Sequence, residues 1–251
     1  MMDTCGILLG ADLSGEWLLP WFWEHYTKAN SYPVAFVDFG MSEFGIEWCQ
    51  KYGTVVSLKH ECSASKKEDL PQEIVERWEI RHGESVWSVR DAWMKKPFAL
   101  QSTPFDKTIW IDNDCMVKGS LAPLFEILDT YDLAAYEDTS EKLWLSPDAE
   151  PHYNSGVVAY KKNTPFLKQL HETALTYEAQ LPGDEEILGK AIHTYAPKVY
   201  KLPLEYNCQY DKKSIKEPTI IHYSTGPGKL EIMQMLPQSY YQGVGIPKQK
   251  L

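Results

Sequence analysis

Apolar runs and helix-spaced apolar positions alternate along the first 60 residues. Gly6 to Gly10 is apolar throughout and predicts a buried strand, followed by the turn Ala11-Asp12-Leu13-Ser14-Gly15. From Glu16 to Asn30, Trp17, Leu18, Trp21 and Phe22 recur at helical spacing. Pro33 to Phe39 predicts a second strand, Glu43 to Tyr52 a helix and Thr54 to Leu58 a third strand. This β-α-β-α-β order argues for a parallel sheet with right-handed crossovers.

The pattern is less regular downstream. Ser63 to Pro71 is polar and predicts a loop, and Leu70 to His82 reads as helical. Ser88 to Ser102 predicts a helix in which Pro97 either makes a kink or marks the first turn. Lys107 to Ile111 is a β-branched and aromatic strand that runs straight into Asp112. Leu121 to Leu128 predicts a helix, Leu133 to Tyr136 a strand, and Tyr153 to Tyr160 a strand that contains Gly156. Asn163 to Gln180 predicts a helix with Thr164 as N-cap and Pro165 as its first residue. Asp184 to His193 reads as a further helix, Thr219 to His222 as a last strand, and Ser224 to Gly228 as a glycine-rich turn. There is no internal repeat and no linker, so the expectation is one α/β domain over residues 1–251. Its central sheet is mostly parallel and flanked by helices. No element is assigned after Pro237.

Composition narrows the function. A chain of 251 residues that is 43% hydrophobic can bury one sizeable core. A net charge of −10, from 25 basic and 35 acidic residues, repels phosphate backbones and argues against a nucleic-acid partner. It leaves room for a local basic pocket around one diphosphate. The N-terminus has no basic segment followed by a long apolar one, so no signal peptide is expected. No apolar run reaches the roughly 18 to 20 residues of a membrane span. The five cysteines, Cys5, Cys49, Cys62, Cys115 and Cys208, are scattered without zinc-site spacing, which fits a reducing, cytoplasmic compartment.

The most informative residues are Asp112-Asn113-Asp114, at the end of a predicted parallel strand. Open α/β sheets bind ligands in the crevice at such strand ends. Two carboxylates one residue apart can share a hard divalent cation such as Mg²⁺ or Mn²⁺, with water and substrate phosphates completing the shell. The cation would offset charge growing on a departing diphosphate. An Asx-rich turn that merely caps the next segment fits the same three residues. An EF-hand does not fit, because Val117 occupies the position of the loop glycine.

Four further motifs accompany this one in order. Lys96 lies sixteen residues before Asp112; Tyr153-Asn154-Ser155-Gly156-Val157, Gly183-Asp184-Glu185-Glu186-Ile187-Leu188 and His222-Tyr223-Ser224-Thr225-Gly226-Pro227-Gly228-Lys229 follow it. Together they resemble glycosyltransferase family 8, the glycogenin-like and bacterial galactosyltransferase-like enzymes of the GT-A fold. The counterparts are a basic residue on the helix before the D-x-D strand, the D-x-D itself, an N-S-G segment, a D-Q/E-x-x-L helix start and a late H-x-x-G-x-x-K element. The last is matched with one spacing change.

The resemblance implies a Rossmann-like GT-A domain with a nucleotide-binding half (1–120), a sugar and acceptor half (121–236) and a tail (237–251). It implies a UDP-sugar donor, an acceptor that is a carbohydrate, lipid or protein, and transfer with retention. Asp112, Asp114 and His222 would hold the metal. Asn113 would sit in the donor site between the acids, and Asp112 would divide its carboxylate between metal and ribose. Ala11 and Asp12 would contact uracil or ribose, although Asp12 serves equally well as a turn former. Lys96, chosen over Lys95 on spacing, would reach the diphosphate or the donor sugar. Gly226 and Gly228 would let backbone N–H groups approach a phosphate, and Lys229 would neutralise it. Asn154 would contact donor sugar or acceptor, with a bulge at Gly156 as the structural alternative. Asp184 would bind donor sugar hydroxyls. Glu185 departs from the glutamine common in the family, and a carboxylate there would act as charge stabiliser or nucleophile.

Trp17, Trp21 and Trp23 are expected in the core rather than on an acceptor sugar. Acceptor choice is expected in residues 61–87 and 137–152. A sugar-nucleotide nucleotidyltransferase is a rival reading, but the loop from Gly10 to Gly15 lacks the basic residue such an enzyme needs. A non-catalytic nucleotide-sugar-binding protein on the same scaffold is a second rival.

Overall fold

The computed structural model describes residues 3–58, 64–139, 152–211 and 215–237. The first part follows the predicted alternation: β1 (Cys5–Ala11), a 3₁₀ turn (Glu16–Leu18) continuing into α1 (Leu19–Ala29), β2 (Val34–Asp38), α2 (Glu43–Tyr52) and β3 (Thr54–Ser57). Helices α3 (Gln72–His82) and α4 (Val86–Gln101) lead to β4 (Lys107–Ile111), β5 (Cys115–Val117), α5 (Ala122–Ile127) and β6 (Leu133–Glu137). The chain then forms β7 (Tyr153–Lys161), α6 (Pro165–Tyr177), α7 (Asp184–Tyr195), β8 (Val199–Lys201), β9 (Cys208–Gln209), β10 (Ile220–His222) and α8 (Thr225–Met235).

Seven strands form the main sheet in the order β3-β2-β1-β4-β7-β6-β8. Only β7 runs antiparallel to its two neighbours, so the sheet is mostly parallel, as expected. Side chains alternate across it. Ile7, Leu9, Ile109, Ile111, Val157 and Ala159 join the core shared with α1. Leu8, Trp110, Val158 and Tyr160 join the core shared with α4, α6 and α7. Burial on both faces explains why these strands read as continuous apolar runs. Trp17 and Trp21 are core residues, and Trp23 packs against Phe36, Trp48 and Tyr52.

Several expectations need correction. Pro97 does not mark the first turn of α4; the helix runs through it, and its neighbours Phe98, Ala99 and Leu100 are buried. A missing hydrogen bond at that position costs about 3 kcal/mol, which burial of the surrounding apolar residues offsets. The glycine-rich stretch after Ser224 is the first turn of α8 rather than a free turn. A second, three-stranded sheet, β5-β10-β9, was not anticipated beyond its β10 strand. Residues 140–151, most of one expected acceptor loop, and the tail from 238 lie outside the described residues.

One ion pair pins α4 to α6. Arg90 is 2% exposed, lies 2.8 Å from Glu178 and donates to the Ser65 carbonyl at 3.0 Å, with its guanidinium 4.7 Å from the Trp78 ring. Arg90→Ala would leave Glu178 half-buried without its cation and open a cavity beside Trp78. The expected loss is about 3–5 kcal/mol, read as a fall in the urea midpoint. A loss below about 1 kcal/mol would show that the pair is energetically neutral.

Candidate active site

The strand order reverses between β1 and β4: β2 follows β1 on one side, while β4 lies on the other. In an open α/β sheet the ligand crevice opens at the carboxyl ends of such a pair. Asp12 follows β1 there and Asp112-Asn113-Asp114 follows β4. The Asn113 amide donates to the Gly15 carbonyl at 3.1 Å and so ties the two loops together. Asp12 is a turn former: its Oδ1 accepts from Ser14 Oγ and from the Gly15 N–H, both at 2.8 Å. Ala11, the last residue of β1, is buried.

The small sheet brings His222 to the acids. Antiparallel pairing of β5 with β10 sets Cys115 opposite His222, and the Tyr223 N–H donates to the Asp114 carbonyl at 2.9 Å. His222 Nε2 lies 3.2 Å from Asp114 Oδ1 and 3.8 Å from Asp112 Oδ2. Asp114 Oδ2 accepts from Lys229 at 3.0 Å, whereas Oδ1 is buried with no hydrogen-bond partner. Burial opposes ionisation of Asp114, but Lys229 and His222 outweigh it and hold the carboxyl well below the usual range. Burial pushes His222 down and Asp114 more than reverses this, so the imidazole is raised. Cys115 also lies within 4.8 Å of the Asp114 and His222 ligand atoms. Burial pushes its thiol well up, and a protonated soft sulfur is a poor ligand for a hard cation.

The residues fit a divalent cation. A buried carboxylate oxygen without a donor faces an imidazole nitrogen whose ring is already oriented, because His222 Nδ1 is 3.0 Å from the Asn207 Oδ1 that takes its proton. In the neutral tautomer that donates from Nδ1, Nε2 on the Asp114 side is the nitrogen that can ligate a metal. Asp112 is more fully engaged. It accepts from Trp110 Nε1 at 2.6 Å and from Lys96 at 2.9 Å.

Lys96 is the hub of the second half of the site. It is buried on α4, 2.9 Å from Asp112, 2.6 Å from Asp184 and 3.0 Å from Ser155 Oγ. Burial opposes its charge, but the two aspartates outweigh it and raise the ammonium above its ordinary range. Lys95 turns away, donating to the Phe39 carbonyl at 2.9 Å. Burial raises Asp184, only partly countered by Lys96. Burial works against Glu185 too, but the hydrogen bond from His152 leads a set of cations that hold it low.

A hydrogen-bond chain joins the two halves. Asn207 donates to Asn154 Oδ1 at 2.6 Å, Asn154 donates to Glu185 at 2.5 Å, and His152 Nε2 is 3.3 Å from Glu185. A bulge makes this possible. Pairing between β6 and β7 jumps from Val158 to Asn154, so Ser155, Gly156 and Val157 leave that ladder and Asn154 and Ser155 are re-aimed at the site. Gly156 also makes room for the imidazole: a Cβ there would lie 2.2 Å from His222 Cε1. Gly228 lets α8 approach Tyr223, whose carbonyl would be 2.3 Å from a Cβ, while Gly226 faces open space. Counted from His222, the glycine of H-x-x-G-x-x-K falls on Thr225. Its φ of 84° is a strained value for a β-branched residue, so the spacing change has a backbone cost.

Asn207 and His152 escaped the sequence reading. Asn207 is a single polar residue with no motif around it, and His152 stands just ahead of the Tyr153–Val157 motif; only the fold places Asn207 beside Asn154 and His152 beside Glu185.

The family model for glycosyl transferase family 8 matches residues 98–229, more than half of the chain. The chain belongs to glycosyl transferase family 8. As a family 8 protein it is a transferase of the glycosyltransferase class, and the nucleotidyltransferase reading falls. Solved structures share the fold. The galactosyltransferase LgtC, in complex with donor and acceptor sugar analogues, matches at TM-score 0.57 and 16% identity over 95% of this chain and 99% of its own. The apo glycosyltransferase GlyE of Streptococcus pneumoniae TIGR4 matches at TM-score 0.58 and 16% identity, over 90% of this chain and 55% of its own. Apo mouse xyloside xylosyltransferase 1 matches at 0.52 and 13%, over 86% and 96%. No curated sequence matches. Among the described residues no helix is long and apolar enough to cross a membrane.

One neighbouring carboxyl carries a pH signature. Burial pushes Glu186 up to about 7, against the 3.2 Å contact with Arg81. Its folded-state pKa lies above the unfolded value of 4.5. The fold therefore holds this proton more tightly, and stability falls as pH rises from about 4.5 to about 7, by about 3 kcal/mol in all. Glu186→Gln keeps an oxygen for Arg81 and removes the titration. Its urea midpoint is expected to exceed the parent's at pH 8 and to converge with it at pH 4.5. Parallel pH profiles would assign the effect elsewhere.

Proposed function

We propose that the protein transfers a hexose from a UDP-sugar to a carbohydrate, lipid or protein acceptor, with retention, using Mn²⁺ or Mg²⁺ bound by Asp112, Asp114 and His222. The observation that carries this reading is the buried, unpartnered Asp114 Oδ1 facing His222 Nε2 at 3.2 Å. Charge supports it. With His222 neutral, as a metal ligand must be, Asp112, Asp114 and Asp184 outnumber Lys96 and Lys229, and a cation offsets the excess negative charge. The bound cation would supply Lewis-acid stabilisation of the leaving diphosphate.

In this reading residues 1–120 bind the nucleotide, with Ala11 and Asp12 beside base and ribose and Asn113 fixing their loop against the acids. Residues 121–236 serve sugar and acceptor. Lys229 is 41% exposed at its side chain, free enough to move from Asp114 to a β-phosphate, next to the open backbone at Gly226. Lys96 orients Asp112 and Asp184, and Asp184 takes donor sugar hydroxyls. Asn154 positions Glu185, whose ionised carboxylate stabilises positive charge at the anomeric carbon or attacks it. The free cysteines fit work in a reducing cytoplasm.

The test is release of UDP from a panel of UDP-sugars with Mn²⁺. Slow metal-dependent hydrolysis, abolished by EDTA, is the expected result. Tight binding of a UDP-sugar without release from any of them would instead support the non-catalytic reading.

A further inference from the structure

A cleft of 520 Å³ opens beside the site, between α3, the end of α6 and α7. Its size suits a mono- or disaccharide. It adjoins the proposed catalytic acids through His152, which lies 3.3 Å from Glu185 and 4.0 Å from Glu186 on the cleft wall. Its chemistry contrasts with the rest of the molecule. Arg77, Arg81 and Lys190 line it in a protein of net charge −10, against Glu73 and Glu186. Tyr177 offers a ring that already carries Lys190 at 5.3 Å. Trp78, also in the lining, has a buried indole N–H with no hydrogen-bond partner. The α3 wall lies ahead of the family-matched segment, whereas Tyr177, Glu186 and Lys190 lie within it.

We infer that this cleft holds the acceptor, and that the acceptor is a carbohydrate bearing an anionic group, a carboxylate or a phosphate. The inference rests on the transferase reading of the neighbouring site. Arg77 provides a planar fork of N–H donors that matches either anion, Arg81, held 3.2 Å from Glu186, and Lys190 add positive charge, and Glu73 and Gln180 take sugar hydroxyls.

The test is calorimetry on the full chain with saturating Mn²⁺ and UDP, using three probes: a glucuronate-terminated disaccharide, glucose 6-phosphate and lactose. At least one anionic probe is expected to bind about 10-fold more tightly than lactose, and Arg77→Gln or Lys190→Gln to weaken it by about 10-fold. Glu73→Gln removes a carboxylate from the same rim and is expected to tighten it. The tighter anion identifies the group. Lactose binding as well as both anions, or anion binding indifferent to all three substitutions, overturns the inference while wild-type UDP release leaves the transferase reading standing. Anion binding in a wild-type protein that hydrolyses no UDP-sugar overturns the transferase reading, and the acceptor role with it.

Discussion

Asp114→Ala is expected to lower metal-dependent UDP release by about a thousand-fold, equivalent to roughly 4 kcal/mol of transition-state stabilisation. The loss should be chemical rather than structural. Lys229 is 41% exposed at its side chain and rehydrates when its partner goes. His222 stays anchored through Nδ1 to Asn207 at 3.0 Å. What disappears is the one buried carboxylate oxygen without a hydrogen-bond partner in the cluster, the atom best placed to ligate a cation. Two measurements separate the cases. Mn²⁺ should raise the melting temperature of the parent by mass action and leave that of the variant unmoved, while circular dichroism shows the variant folded at the assay temperature. Full activity with unchanged metal dependence in Asp114→Ala would place the metal elsewhere.

This carboxylate was legible in the sequence because it belongs to a compact motif at the end of an apolar strand. β1, β2, β4 and β7 were readable for the same reason: burial on both faces writes an unbroken apolar run. α6 was readable from Thr164-Pro165, which sit at its N-cap and first position. Of the small sheet only β10 was, because β5 and β9 have three residues or fewer, too few to show a period. α8 was hidden behind two glycines and a proline in its first turn, which read as a loop until the packing of Gly228 on Tyr223 is seen. Lys96 could be picked by its interval to Asp112, but its simultaneous hold on Asp184 depends on α7 starting beside α4. The chain from His222 through Asn207 and Asn154 to Glu185 joins segments far apart in sequence, and no local pattern encodes it.

The same dependence on tertiary placement makes Gly156 the second critical position. Gly156→Ala is expected to reduce activity at least about 100-fold, the effect of moving a catalytic group by roughly 1 Å, and to destabilise the fold by about 1–3 kcal/mol through overpacking. An alanine Cβ would lie 2.2 Å from His222 Cε1 and 2.5 Å from Nδ1, well inside contact distance. The ring cannot simply step back. It is 3% exposed, bound to Asn207 on one edge and 3.2 Å from Asp114 on the other. Moving the backbone instead would pull on the Asp112 N–H, which donates to the Gly156 carbonyl at 2.8 Å, so either response displaces a proposed metal ligand. A double-mutant cycle isolates the cause. In a His222→Ala background the clash is gone, so adding Gly156→Ala should cost under about 1 kcal/mol of stability, a coupling of roughly 1–2 kcal/mol. Equal costs in both backgrounds would mean that Gly156 serves the bulge of β7 alone and that the imidazole does not depend on it.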